Sequence, residues 1–285
     1  MSEVLDRVPV APAGRRRRRY RRLAVEAGFG LGRNLRNGFT LILLLAAWEA
    51  FARSGAVSDF LLPPFSVVVE RIWQDALSGD LAINLGATLY RALFGFAIAA
   101  AAGAAIGILI ARNGATRWFF DPIVSVGFPM PKIAFLPIFM LWFGLYDTSK
   151  VTMIVVSAIF PVITATVAST QGVEKELLWS ARSLGASERR LLWEIVLPAA
   201  LPQILTGLQV ALPVSMIVAI VCGMLMGGTG LGAAMINASR FADSPGVFAG
   251  IVEIGVAGFC LIKGIAMLRR RLLRWHQETH EAATV

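Results

Sequence analysis

The chain has 285 residues, of which 56% are hydrophobic, with a mean hydropathy of +0.68 and a net charge of +9. These values exclude an ordinary soluble globular domain. A hydrocarbon core of about 30 Å requires about 20 apolar residues in a helix. We therefore predict about six transmembrane helices, near 37–54, 86–111, 119–143, 151–170, 203–226 and 246–267. Because the runs lack the alternation of barrel strands, the predicted fold class is an all-α, polytopic membrane protein.

The segment before the first span, 1–36, is basic and contains RRRRRYRR at 15–22. Such a run can bind nucleic acid, act as a twin-arginine export signal or anchor a chain beside a membrane. We favour contact with anionic membrane lipid, because a span follows closely, and we expect no nucleic-acid partner. No small-residue cleavage pattern precedes PPFSVVVERIWQDAL, which argues against a cleaved signal peptide.

The basic residues are distributed unequally between the two sides of the predicted spans. Of the 27 Lys and Arg, 20 fall on one side, four on the other and three within spans. The positive-inside rule places the side with 20 in the cytoplasm. We therefore predict that both termini and the long loop 171–199 are cytoplasmic.

The third predicted span is unusual because it contains four prolines, Pro122, Pro129, Pro131 and Pro137. Each proline removes a backbone donor and obstructs helical hydrogen bonding, so we predict a broken or kinked helix. Broken backbone at membrane depth is tolerated where it packs inside protein or lines a watery cavity. The alternative is a set of ordinary proline kinks in a packed bundle.

Lys132 lies beside the predicted break. A charged side chain within a span costs about 2.5–3.5 kcal/mol on insertion scales, so it usually faces protein or water. We interpret Lys132 as facing a dimer axis, where it lowers the barrier for an anion; alternatively it pairs with a carboxylate or reaches an interface. The candidate substrate path comprises Pro129, Met130, Pro131, Lys132, Ser215 and Met216.

Residues for catalysis or metal binding are few. The only histidines, His276 and His280, lie near the C-terminus, and Cys222 and Cys260 lie in apolar runs, so we expect no metal site, disulfide or catalytic residue. GGTGLG at 227–232 resembles a phosphate loop but lacks the Lys-Ser/Thr ending and falls on the extracytoplasmic side. We interpret it as a flexible helix end that leads into a short helix, AAMINASRF. Any ATP must then be bound by another subunit, and this chain needs no cofactor.

The loop 171–199 contains two apolar stripes at helical spacing. They comprise Leu177, Leu178, Ala181 and Leu184, and then Leu191, Leu192 and Ile195. We predict a sharp turn at Gly185, an N-cap at Ser187, and prolines at 198 and 202 that end or redirect the second helix. A helix–glycine–helix of this kind is shaped to dock into another protein's groove; the alternative is a helix on the bilayer surface.

The spacing of Ala181, Gly185, Ile195, Leu197 and Pro198 resembles the EAA motif, E-A-A-x3-G-x9-I-x-L-P, of permease subunits in binding-protein-dependent ABC importers. Trp179 and Ser180 stand where Glu and the first Ala are usual. Further segments resemble the nitrate/sulfonate/taurine class of these permeases: PKIAFLPIFMLWFG (131–144), LPAALPQILTGLQVAL (197–212), GLG (230–232) and RRRLLRW (269–275). The resemblance covers about 85–275.

The resemblance implies a type I ABC importer permease fold, in which the loop is a coupling helix on the ATP-hydrolysing subunit. The coupling residues would be Ala181, Gly185, Ala186, Ser187, Ile195, Leu197 and Pro198. It further implies a homodimer in the bacterial inner membrane, two ABC ATPase subunits that bind the ATP, and a soluble substrate-binding protein. The solute would be small and anionic, such as nitrate, a sulfonate or taurine. A secondary transporter or channel without an ATPase is the alternative, and a membrane enzyme comes third.

In domain terms, the sequence predicts a basic cytoplasmic segment, 1–36, a transmembrane permease domain, 37–275, and a C-terminal tail, 276–285. The coupling loop 171–199 belongs to the permease domain.

Overall fold

The computed structural model describes residues 39–273, and every regular element in this range is a helix. The all-α fold class is therefore confirmed. The basic run 15–22, the rest of segment 1–36 and the tail 276–285 with its two histidines lie outside the described residues. The chain divides into two compact units, with the boundary between Ser66 and Val67.

In the first unit, α1 covers residues 39–53, which is the described part of the first predicted span. Trp48 Nε1 donates to the carbonyl of Pro63 at 3.1 Å, and its ring lies against Phe65. The Glu49 carboxylate accepts from the backbone N–H of Ser66 at 3.0 Å and pairs with Arg53 at 2.6 Å. These bonds tie α1 to the chain that follows it.

The remaining helices follow one another with short connections. They are α2 (Phe65–Ser78), α3 (Asp80–Arg112), α4 (Gly114–Gly127), a 3-10 turn (Lys132–Phe135), α5 (Leu136–Phe143), α6 (Asp147–Gln171), α7 (Lys175–Ser183), α8 (Glu188–Leu191), a π-helical segment (Leu192–Val196), α9 (Leu197–Met226), α10 (Leu231–Arg240) and α11 (Ser244–Leu272).

Four of these helical stretches are long and apolar enough to cross a membrane: α3, α6, the stretch Glu188–Arg240 and α11. A fifth span arises if α4 and Lys132–Phe143 count as one element, since they are bent by 96° at a short break. The break predicted in the third span is thus confirmed. The helices run past the predicted ends because helical hydrogen bonding continues into polar residues that hydropathy leaves out, as at Asp80 in α3.

The centre of the second unit consists of α3, α6 and α9, which pack on one another. Small residues on α3 allow close approach: a Cβ added at Gly103 would lie 2.8 Å from the Cβ of Val162, and one at Gly107 would lie 2.6 Å from that of Thr166. Helices that pack through small residues meet in this way in membranes. These three helices also position the two loops at their opposite ends, which are described below.

Candidate functional site

The helix–glycine–helix loop has the turn that its sequence predicts. Gly185 adopts a left-handed φ of +83°, its N–H donates to the carbonyl of Arg182 at 2.9 Å, and the N–H of Ala186 donates to Ala181 at 3.1 Å. This pair of bonds is a Schellman motif, which favours glycine because a Cβ disfavours the left-handed region. A Cβ at Gly185 would meet nothing within 4 Å, so the turn is an open tip.

The second helix of the loop begins at the predicted cap, where Ser187 Oγ accepts from the N–H of Arg190. It does not end at the prolines: α8 continues through the π-helical segment into α9, with Pro198 in the first turn of α9 and Pro202 inside it. Pro198 has no N–H to offer the carbonyl four residues earlier, which lies in the π-helical segment. The second helix of the loop and the span that follows it are one continuous helical element.

An apolar cluster holds the loop against the start of α9. Its buried members are Val173, Ala181, Leu191, Val196, Ala200 and Ile204. Of the residues in the predicted coupling set, Ala181 lies in this cluster, and Ala186 and Ile195 pack against it. The loop is therefore attached to α9 through packed apolar side chains.

Glu188 joins the loop to a third helix. Its carboxylate accepts from Arg112, the last residue of α3, at 2.8 Å and pairs with Arg182 of α7 at 3.1 Å. This link could not be predicted from the sequence, because Arg112 and Glu188 are 76 residues apart. All three side chains are partly exposed, so each pair contributes about 0–1 kcal/mol and determines position more than stability.

Large apolar side chains are exposed around the glycine turn. Leu184, directly before Gly185, is 86% exposed, and Leu177, Trp179 and Trp193 are also exposed. A rigid loop with this many exposed apolar side chains, interspersed with charges, is typical of an interaction surface.

The break in the third span brings together four residues of the predicted substrate path. Pro129, Met130 and Pro131 are exposed, and Lys132 Nζ donates to the carbonyl of Phe128 at 2.5 Å. The ammonium also lies 5.1 Å from the ring centroid of Phe160. Within residues 39–273, Lys132 forms no ion pair with a carboxylate, which was one of the two alternative interpretations.

The other two predicted path residues lie in the core. Ser215 is fully buried and its hydroxyl donates to the carbonyl of Ala211 at 3.0 Å. Met216 belongs to the main core cluster together with Leu136 and Phe139, which follow the break. The structure therefore divides the predicted path into an exposed group at the break and a buried pair on α9.

At the opposite end of α3 and α6, two buried cations hold the loop between α9 and α10. The Arg91 side chain is 7% exposed; it donates to Asp147 at 2.8 Å and to the carbonyl and hydroxyl oxygens of Thr229 at 2.5 and 3.0 Å. Lys150, which is 2% exposed, donates to the carbonyl of Gly227 at 2.7 Å. Neither residue was singled out from the sequence, although a cation in or beside an apolar run is a signal of this kind.

Polar side chains of α3 complete this attachment. Asn84 Oδ1 accepts from the N–H of Gly230, and Thr88 Oγ1 accepts from the N–H of Leu231, both at 2.9 Å. The short helix predicted after GGTGLG is present as α10. The glycine segment was predicted to be flexible, but α3 and α6 bind its backbone at four positions between Gly227 and Leu231, namely 227, 229, 230 and 231.

A further arginine ties α2 to the turn before α11. Arg71 bonds to Asp75 at 3.0 Å and to Asp243, which also caps α11. Burial opposes the charge of Arg71, but the hydrogen bonds and charges of Asp75 and Asp243 outweigh it and raise the pKa of the guanidinium. The guanidinium of Arg71 therefore keeps its charge throughout the pH range in which the protein is handled.

Together, these features define a helical membrane protein with an interaction loop at one end of its spans and a fixed loop at the other. The chain belongs to the family of binding-protein-dependent transport system inner membrane components, which its residues 103–274 match. It is therefore a multi-pass permease subunit of an ATP-driven importer. Such subunits work with ABC ATPase and substrate-binding partners.

Characterised relatives cover most of the chain. It is 34% identical to the taurine transport system permease protein TauC of Escherichia coli (strain K12), over 84% of this chain and 89% of that protein. It is 33% identical to the putative aliphatic sulfonates transport permease protein SsuC of Bacillus subtilis (strain 168), over 82% and 84% respectively. It is 31% identical to the riboflavin transport system permease protein RibX of Chloroflexus aurantiacus, over 83% and 88%.

A solved structure shows the same fold. The crystal structure of an amino acid ABC transporter with histidines matches with a TM-score of 0.56 at 19% identity, over 70% of this chain and 96% of that chain. The type I importer permease fold expected from the sequence is thereby confirmed.

Proposed function

We propose that two copies of this chain form the translocation path for a small oxyanion, with nitrate, sulfonates and taurine as the candidates. Two relatives are named for taurine and aliphatic sulfonates. Lys132 supplies a positive charge at the break, where no carboxylate of the described residues neutralises it. Pro129 to Pro131 are exposed in the single chain, so a second copy would enclose them.

In this proposal, two ATPase subunits bind and hydrolyse the ATP, and the loop 171–199 receives their movement. The observation that carries it is the rigid helix–Gly185–helix, packed on α9 and bonded to α3 through Glu188. Ala181, Ala186 and Ile195 form the packed side, and Gly185 and Ser187 form the turn. Leu197 and Pro198 begin the span that the loop would move.

The experiment for this function uses proteoliposomes that contain the permease and its ATPase, with the binding protein outside. We expect ATP hydrolysis and uptake of radiolabelled taurine to rise together when the loaded binding protein is added. Uptake that persists when the ATPase is left out would contradict the proposal and would favour a channel or secondary transporter.

The orientation follows the basic asymmetry and places the loop and both termini in the cytoplasm. We expect a cysteine at position 189, in a variant with Cys222 and Cys260 replaced by alanine, to resist an impermeant maleimide in intact cells. The same cysteine should react once the cells are opened. Labelling in intact cells would reverse the assigned orientation.

The role of Lys132 is tested by Lys132→Met. If its charge assists an anion, uptake of taurine should fall by about tenfold, the equivalent of about 1.4 kcal/mol, and Lys132→Arg should restore it. Lys263→Met is the matched control, because that ammonium lies at a similar distance, 5.3 Å, from the ring of Phe259 in another span. Equal uptake by Lys132→Met and Lys263→Met would contradict a role for Lys132 in the translocation path.

A further inference from the structure

A long apolar groove runs between α3, α9 and α11, away from the loop and the break. Its volume is about 610 Å³, and among residues 39–273 Glu253 is the single charged residue that lines it. The residues that line its walls include Leu85, Leu89 and Leu93 on α3, and Val256, Gly264 and Leu268 on α11.

The groove lies between α3 and α11, which do not pack closely on each other. The packing partners of α11 are α10 and α9, and after residue 251 only Ala257 of this helix is buried. The wall on α3 extends from Leu81 to Phe96, which corresponds to about 22 Å at about 1.5 Å per residue. One leaflet of a bilayer core of about 30 Å is about 15 Å thick, so the groove can hold an acyl chain lengthwise.

The wall of the groove leads to a positive charge. Its residues on α11 recur at Ala257, Leu261, Gly264 and Leu268, with alternating steps of four and three residues. The next position of this series is Arg271, so helical periodicity places this residue on the groove side of α11, next to its C-terminal end. Arg271 is exposed, and within residues 39–273 it has no ion pair.

We propose that this groove is a binding site for one anionic glycerophospholipid, whose acyl chain fills the apolar walls and whose phosphate group binds Arg271. The complementarity of charge selects the headgroup: a guanidinium at the end of an apolar channel matches a phosphate joined to a hydrocarbon chain. None of the residues of the proposed substrate path lines this groove, so lipid binding there does not depend on which solute the protein carries.

The wall of the groove is tested with a pair of glycine variants on α11. Gly264 lines the groove and Gly255 does not, yet an added Cβ would meet nothing within 4 Å at either position. Tryptophan at 264 should fill the groove and lower retained phosphatidylglycerol by roughly tenfold or more, because the indole takes the volume of the chain. Gly255→Trp should retain the lipid as the wild type does. The readout is native mass spectrometry of the purified protein after exchange into mild detergent.

The headgroup contact is tested separately with Arg271→Gln and, as its control, Arg270→Gln. Arg270 is also exposed but projects to another side of α11, since neighbouring helical residues are about 100° apart. Titration uses phosphatidylglycerol and phosphatidylethanolamine with identical acyl chains. We expect Arg271→Gln to lower the preference for phosphatidylglycerol by about fivefold, the effect of one basic residue at an anionic surface, and Arg270→Gln to leave it unchanged.

Two results would overturn the proposal. One is equal retention of phosphatidylglycerol by the wild type, Gly264→Trp and Arg271→Gln. The other is efficient cross-linking of a cysteine at position 264 to a second copy of the chain, which would show that protein occupies the groove.

Discussion

The two ends of the membrane-spanning helices are held by opposite kinds of interaction. At the loop 171–199, an apolar cluster fixes the backbone and exposed ion pairs surround Glu188. At the loop 227–231, Arg91 and Lys150 are buried and donate directly to backbone carbonyls. The charged groups at the loop 171–199 are partly exposed to water, whereas those that hold the loop 227–231 are buried and bonded to the backbone.

This difference explains which end can exchange partners. An exposed ion pair contributes about 0–1 kcal/mol, so another subunit can replace it at little cost. Hydrogen bonds to buried charged groups contribute about 1.5–3 kcal/mol, and losing them leaves carbonyl groups unsatisfied. The loop 171–199 therefore suits a contact that forms and changes during transport, while the loop 227–231 keeps α3, α6, α9 and α10 together.

The largest effect should come from filling the glycine turn. Gly185→Trp places an indole at the open tip, and we expect stimulated ATP hydrolysis to fall to the basal rate while membrane insertion stays normal. The physical reason is that the tip would no longer enter a groove on the ATPase. ATP hydrolysis in proteoliposomes and yield after affinity purification measure the two effects.

Two controls separate bulk from backbone strain. Gly185→Ala carries the same left-handed strain, about 1 kcal/mol, without the bulk, and should keep most of the stimulated hydrolysis. Gly114→Trp adds the same bulk at another open position, where no Cβ contact lies within 4 Å. Normal transport with normal copurification of the ATPase in Gly185→Trp would contradict the coupling role.

The second largest effect concerns the loop 227–231 and should appear as a loss of folding stability. Arg91→Met removes the bonds to Thr229 and Asp147, and we expect a loss of about 2–4 kcal/mol in the free energy of unfolding. Asp147 is 52% exposed and can be hydrated, so the main loss is the unsatisfied carbonyl of Thr229. Thermal unfolding in detergent measures it.

Arg117→Met is the control for the fixed end, because Arg117 is exposed and its loss should change stability by no more than about 0.5 kcal/mol. If Arg91→Met unfolds at the same temperature as Arg117→Met, the buried cation does not hold the loop 227–231.

The same contrast shows what a single sequence can and cannot reveal. The turn at Gly185, the cap at Ser187 and the break near Pro129 and Pro131 were predicted correctly, because each depends on residues within a few positions of itself. The predicted spans were shorter than the helices, because hydropathy falls where polar residues begin, whereas helical hydrogen bonding continues through them.

The contacts that the sequence did not reveal are long-range. Arg91 and Thr229 are 138 residues apart, and nothing local marks them as partners. The π-helical segment before Pro198 forms where the hydrogen-bonding register of α8 meets that of α9. The presence of one proline does not predict such a segment. The glycine segment was predicted to be flexible because glycine is permissive by itself, whereas side chains from two distant helices fix its backbone.

The smallest effect should distinguish the link to α3 from an ordinary surface ion pair. Glu188→Gln weakens the bonds to Arg112 and Arg182, whereas Glu194→Gln weakens only the pair with Arg190 one turn away on the same helical element. Both variants should unfold within about 0.5 kcal/mol of the wild type, because all these groups are partly exposed.

The two glutamine variants should differ in coupling. We expect Glu188→Gln to lower stimulated ATP hydrolysis by about two- to fivefold, since the movement of the loop no longer reaches α3 through a charged contact, and Glu194→Gln to leave it unchanged. Salt sharpens the test: between about 0.05 and 0.5 M, screening should reduce coupling in the wild type and in Glu194→Gln but much less in Glu188→Gln. Equal rates and equal salt dependence in both variants would show that α9 alone carries the movement and that the Arg112 contact is incidental.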